Sequence, residues 1–179
     1  EGTGASLSGG DTATTTESGS FETGAFTLAT SSLTGNTTYY FRAYGLNVNL
    51  ASGPATALGS ASTLADRPTA LAVTFLSVSD SSATVAWAAL PTAAQHGASR
   101  TAEGYRLEAS STNYGAAAPG GTVFVSTTSE VLISTLAVAG LDVGTTYYFR
   151  VGSLNWGGTV HYTILGSTLT SAQEIGLVI

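Results

Sequence analysis

Two stretches of this chain are copies of one another, and that repeat limits the fold more than any other feature. Residues 26–47 (FTLATSSLTGNTTYYFRAYGLN) and 134–155 (STLAVAGLDVGTTYYFRVGSLN), offset by 108, are identical at twelve of 22 positions. The matching residues are Thr27, Leu28, Ala29, Leu33, Thr37, Thr38, Tyr39, Tyr40, Phe41, Arg42, Leu46 and Asn47. After a one-residue deletion the likeness resumes, with LGSASTLA at 58–65 against LGSTLTSA at 165–172. Such a repeat is one supersecondary unit used twice. Its 179 residues suffice for one large or two small cores.

The unit is built of strands. Apolar residues alternate with polar ones among β-branched and aromatic neighbours, bounded by Gly, Asn, Asp and Pro. Period 2 puts Ala83, Val85 and Trp87 on one face, Tyr105 and Leu107 inward with Arg106 and Glu108 outward, and Tyr147, Phe149 and Val151 inward with Tyr148 and Arg150 outward. One-sided burial of this kind belongs to antiparallel sheets. No segment carries a helical period.

These residues resemble the fibronectin type III family. LDVGTTYYFRVGSLN is similar to its E–F corner and F strand, TVAW to its B strand with the core Trp, and YRLEAS to its C strand. The resemblance implies an all-β chain of tandem fibronectin type III-like, immunoglobulin-like antiparallel β-sandwiches, with Leu141 and Tyr147, and Leu33 and Tyr39, forming tyrosine corners. It covers 69–170 as one complete module, with 65–68 as a short linker. Carried back at constant offset, it leaves 1–64 an incomplete module of strands C′, E, F and G. The tail 171–179 resembles the opening A strand of a further module: Ile175, Leu177 and Ile179 alternate as Leu71, Val73 and Phe75 do. More narrowly, the Ala/Thr/Ser-rich copies are similar to tandem repeats of large secreted bacterial cell-surface proteins.

Composition narrows the function. Only 9% of residues are charged, with five Arg, no Lys and a net charge of −6, while 22 Ser and 29 Thr supply the polar surface. Nucleic-acid binding, which rests on cations neutralising phosphates, is excluded. No apolar run reaches the length of a membrane-spanning helix. The chain has no Cys, and its two histidines, His96 and His161, have no metal-ligand spacing. No nucleophile motif, nucleotide loop or calcium loop is present. The expectation is a non-enzyme with no catalytic, cofactor or metal residues.

Two positions stand out as candidate sites. Trp156, between Asn155 and Gly157 in the F–G loop, reads as an interface anchor, as a side chain folded over its own sheet edge, or as a stacking platform for glycans. Asn36-Thr37-Thr38 matches the N-glycosylation sequon, although Asn36 reads more simply as a left-handed turn residue in the place of Gly144. Ile175, Leu177 and Ile179 are the expected interface of a tail that packs on the incomplete module of a neighbour. The expected function is structural: a secreted, extracellular or cell-surface protein whose copies assemble head-to-tail into a fibre. The alternative is a spacer or glycan-binding accessory region of a larger secreted enzyme or adhesin.

Overall fold

The computed structural model describes residues 2–8, 33–47, 49, 51–91, 101–114 and 122–171. Among the described residues ten strands follow one another: β1 (Gly2–Ser8), β2 (Thr38–Leu46), β3 (Thr56–Ser62), β4 (Thr69–Val78), β5 (Ser82–Ala88), β6 (Gly104–Ser110), β7 (Val123–Thr128), β8 (Thr135–Ala139), β9 (Thr146–Leu154) and β10 (Val160–Leu169). All pairings are antiparallel, in sheets ordered β1-β2-β3, β10-β9-β6-β7 and β4-β5-β8.

From β4 onward the order is that of a fibronectin type III-like sandwich, a three-stranded sheet facing a four-stranded one. Alternation places the core where the sequence puts it. Ala83, Val85 and Trp87 from β5 meet Tyr105, Leu107 and Ala109 from β6 and Tyr147, Phe149 and Val151 from β9, with Val138, Leu141 and Leu165 completing the cluster. Aromatic pairs knit the two sheets: Trp87 and Tyr105 have ring centroids 5.0 Å apart, and Phe75 meets Phe149 edge-on at 5.2 Å. Trp87 is 1% exposed, and its indole N–H finds no acceptor among the described residues.

Both tyrosine corners form. The Asp142 N–H donates to the Tyr147 hydroxyl at 3.0 Å, and that hydroxyl donates to Asp142 Oδ2 at 3.0 Å. In the first copy the Thr34 N–H donates to the Tyr39 hydroxyl at 2.8 Å. A threonine just past the last strand of each module braces its corner: the Thr145 N–H donates to Thr170 Oγ1 at 2.9 Å and the Thr37 N–H to Thr63 Oγ1 at 3.0 Å.

The first module needs a correction. Constant offset leaves residue 1 just beyond strand C, but β1 pairs with β2 from Gly2↔Leu46 to Ser8↔Tyr40, as β6 pairs with β9 from Gly104↔Leu154 to Ser110↔Tyr148. Leu46 and Leu154, and Tyr40 and Tyr148, are repeat counterparts, so β1 occupies the place of strand C rather than C′. The offset there is 104 − 2 = 102 instead of 108. The stretches of sequence between these strands and their F-strand partners differ in length by six residues, and an offset taken downstream of a length change does not carry across it. Strand E of this module, expected near 26–33, lies outside the described residues.

β4 departs from simple alternation as well. It pairs with β5 at Thr69 and Ala70 and again from Phe75, with the register shifting between. Phe75 packs on the core, while Leu71 and Val73 are 43% and 68% exposed. A strand that leaves its partner for four residues no longer has its alternate side chains aimed at the core.

Candidate functional site at the module junction

A group of polar contacts outside the core lies where the two copies meet. Its first part is the E–F turn of the first copy. Asn36 has φ +49, the left-handed conformation that Asn tolerates because its short amide can bond locally. Gly144 holds the same place in the second copy at φ +62. The turn aims the Asn36 side chain at the second module, where it is 1% exposed. Its Nδ2 donates to Glu103 Oε1 at 3.0 Å, and its Oδ1 accepts the Trp156 backbone N–H at 3.2 Å.

The second part is the F–G turn of the second module. Asn155 Oδ1 accepts the N–H groups of Gly157 at 3.0 Å and Thr159 at 2.8 Å, which closes the turn on its own side chain. That leaves Nδ2 pointing outward. It donates to the last carbonyls of the first module, Ser62 O at 3.1 Å and Thr63 O at 2.9 Å. Asn36 and Asn155 therefore interlock, each in a turn of one module and each bonded to residues of the opposite module.

The linker is held along its length. Its carbonyls at Ala65, Asp66 and Pro68 bond to His161 Nδ1, Ser153 Oγ and Thr163 Oγ1, and the Asp66 N–H donates to Thr101 O at 3.2 Å. A carbonyl can only accept, so His161 Nδ1 carries the proton and Nε2 is free to accept Arg67 Nε–H at 3.1 Å. Segments with so few unbonded backbone groups do not act as hinges.

The sequence candidates divide accordingly. Trp156 and Asn36 come together at this junction, Trp156 through its backbone N–H while its side chain stays 51% exposed. The Asn36 amide nitrogen, to which a sequon glycan would attach, faces Glu103. Ile175, Leu177, Ile179 and His96 lie outside the described residues. Asn155 and Glu103 were not singled out from the sequence. Asn155 was visible as the last identical residue of the repeat, while Glu103 carries no local signal, since its role depends on a turn 67 positions away.

A second polar cluster covers the outer face of the four-stranded sheet. Glu108, outward by alternation, is nonetheless 3% exposed. Its carboxylate accepts Arg106 Nε at 2.7 Å, Arg150 Nε at 2.7 Å and the Tyr162 hydroxyl at 2.7 Å. The Arg150 guanidinium lies between the rings of Tyr114 and Tyr162, 3.9 Å and 4.1 Å from their centroids. Burial pushes the Glu108 carboxyl up, but the Tyr162 and Arg150 hydrogen bonds and the two guanidinium charges outweigh it and hold the group below its ordinary value. Burial, reinforced by the Glu108 charge, pushes the Tyr162 hydroxyl up to about 12. These bonds to one buried carboxylate tie β6, β9 and β10 together across the outer face of the sheet. Among the described residues no group of three His, Cys, Asp or Glu side chains could hold a metal, and no helix is long and apolar enough to cross a membrane.

No protein-family model matches the chain, and no curated protein matches it in sequence. Among solved structures it is similar to the chicken CNTN1 FN1–FN3 domains, with 16% identity over 95% of this chain and 54% of that one and a TM-score of 0.44. The chain thus spans about half the length of that structure. It is likewise similar to a two-domain fibronectin type III segment of chicken tenascin, with 17% identity over 93% of this chain and 84% of that one and a TM-score of 0.44. The fibronectin type III-like character of the fold stands on strand order and the two tyrosine corners.

Proposed function

We propose that the chain is a non-catalytic structural segment of an extracellular or cell-surface protein, in which fibronectin type III-like modules follow one another head-to-tail in a fixed orientation to form a rod or fibre. The observation that carries this reading is the junction. Two interlocked asparagines and a four-residue linker whose carbonyls at 65, 66 and 68 are bonded hold one module against the next. Rigid spacing is the property a rod requires and a flexible tether lacks. A surface of Ser and Thr with few charges suits a role that needs no steering field.

Residual dipolar couplings in weakly aligned solution test the reading. One alignment tensor should fit both modules of the wild-type chain, and the Asn36→Ala, Asn155→Asp double variant should require two. Two independent tensors in the wild type would reject a fixed junction. Electron microscopy of the concentrated protein tests assembly into fibres.

A further inference from the structure

The turn that Asn155 uses to hold the preceding module is reproduced at the opposite end of the first module. Asn47 is the repeat counterpart of Asn155. Its Oδ1 accepts the N–H groups of Asn49 and Ala51, each at 2.9 Å, as Asn155 Oδ1 accepts those of Gly157 and Thr159. The Asn47 N–H donates to Ala51 O at 3.0 Å, as the Asn155 N–H donates to Thr159 O at 3.0 Å. Three of the four bonds that shape the Asn155 turn are repeated, including both that fix the amide oxygen, so Nδ2 is the outward end of the amide in both. In Asn155 it takes two backbone carbonyls. In Asn47, which is exposed, it meets no acceptor among the described residues.

We propose that Asn47 Nδ2 is the docking donor of a second junction, and that its partner is the strand-G end of another fibronectin type III-like module of the first module's kind, with a Thr in the place of Thr63 and an Asn in the place of Asn36. The partner chemistry follows from the junction already formed: two consecutive carbonyls at the end of the last strand, beside a left-handed turn carrying an amide. The second module of this chain meets half of that description. Thr170 braces its corner as Thr63 does, but Gly144 stands where the amide would be, and Thr170 is fully enclosed. An added Cβ at Gly144 meets nothing within 4 Å, and Asn36 shows that Asn accepts this conformation. Gly144→Asn in a chain ending at Ser171 therefore converts the second module into the missing partner. The inference rests on the head-to-tail reading and specifies which atoms recognise the next unit.

The test is a titration of isotope-labelled full-length chain with the unlabelled Gly144→Asn chain ending at Ser171, following the Asn47 side-chain amide by NMR. The expected result is a saturable shift of that amide, about two- to tenfold tighter than with the same shortened chain carrying Gly144, as one added hydrogen bond gives. Labelled Asn47→Asp, which keeps the Oδ1 acceptor and the turn but removes the donor, should show no saturable shift at the Asn49 and Ala51 backbone amides, which should shift in the labelled wild-type chain. An Asn47 amide unmoved by a folded titrant, or equal binding by the Asn47→Asp chain, overturns the proposal. Failure of the rod reading is separate and appears as two alignment tensors in the wild-type chain.

Discussion

Glu108 shows how far an alternation pattern reaches at the scale of single residues. The pattern places it on the outer face, and it is there, yet it is enclosed by Arg106, Arg150, Tyr114 and Tyr162. Its carboxyl titrates lower in the folded chain than in the unfolded one. Its contribution to stability is therefore present above the unfolded value, roughly pH 4.5, and lost as pH falls through the folded value. Glu108→Gln should lower stability at pH 7 by on the order of 2 kcal/mol, discounted for the partial exposure of both arginines. Melting curves of the two proteins should converge as pH falls below about 4.5. Parallel curves down to pH 3 would show that the carboxylate charge is not what the cluster uses. The tyrosine corner gives a second test: Tyr147→Phe strands the Asp142 N–H and should cost about 0.5–1.5 kcal/mol in urea denaturation. Trp87→Ala, which empties a site 1% exposed, should cost about 3–5 kcal/mol. Equal small losses at Tyr147 and Trp87 would contradict the register of β5 and β9.

Elements were legible where the pattern is local and illegible where it depends on a partner. The strands around Trp87, Leu107 and Phe149 announce themselves by period 2, because each keeps its large apolar side chains on one side, even where the other side is covered as at Glu108. β4 does not, since its break with β5 leaves Leu71 and Val73 exposed, and nothing in TALAVTF marks where pairing stops. β1 lies six residues from the place the repeat offset gives it, because such an offset records sequence distance and not register. The junction is half legible: Asn36 and Trp156 are separate candidates in the sequence, and only the folded chain makes them neighbours. One element boundary carries a sharp prediction. Gly104 opens β6 at φ +151, and a Cβ there would lie 2.1 Å from Thr128 O. A backbone oxygen in the β6–β7 ladder cannot retreat as a side-chain tip can. Gly104→Ala should therefore cost more than about 2 kcal/mol and expose the amides of β7 to hydrogen exchange before those of β9. Simultaneous loss of protection in β7 and β9 would mean that the sheet opens only as a whole.

For the molecule as a whole, the question is whether the junction is one cooperative latch or a collection of independent contacts. Its parts share atoms and turns. Asn36 spends Oδ1 on Trp156 N–H, which belongs to the turn closed by Asn155, and Asn155 spends Nδ2 on Ser62 O and Thr63 O. Thr63 in turn braces the corner that positions Asn36, through Thr37 N–H and Thr34 O. Breaking any one contact therefore removes geometry that the others need, which is the condition for non-additive behaviour. Asn155→Asp keeps its own turn and deletes only the outward donor, so its direct loss is two hydrogen bonds. If the latch is cooperative, hydrogen exchange should accelerate together at the Asn36 N–H, held by Leu64 O at 2.9 Å, at the Trp156 N–H, and at the linker Asp66 N–H, held by Thr101 O at 3.2 Å. The Asn36→Ala chain should accelerate the same three amides by a similar factor, because both substitutions populate the same opened junction. Core amides such as Val151, remote from the junction, should keep their wild-type rates in both variants. Acceleration confined to the amide nearest each substitution would describe independent contacts, and the modules would then be aligned by the linker alone.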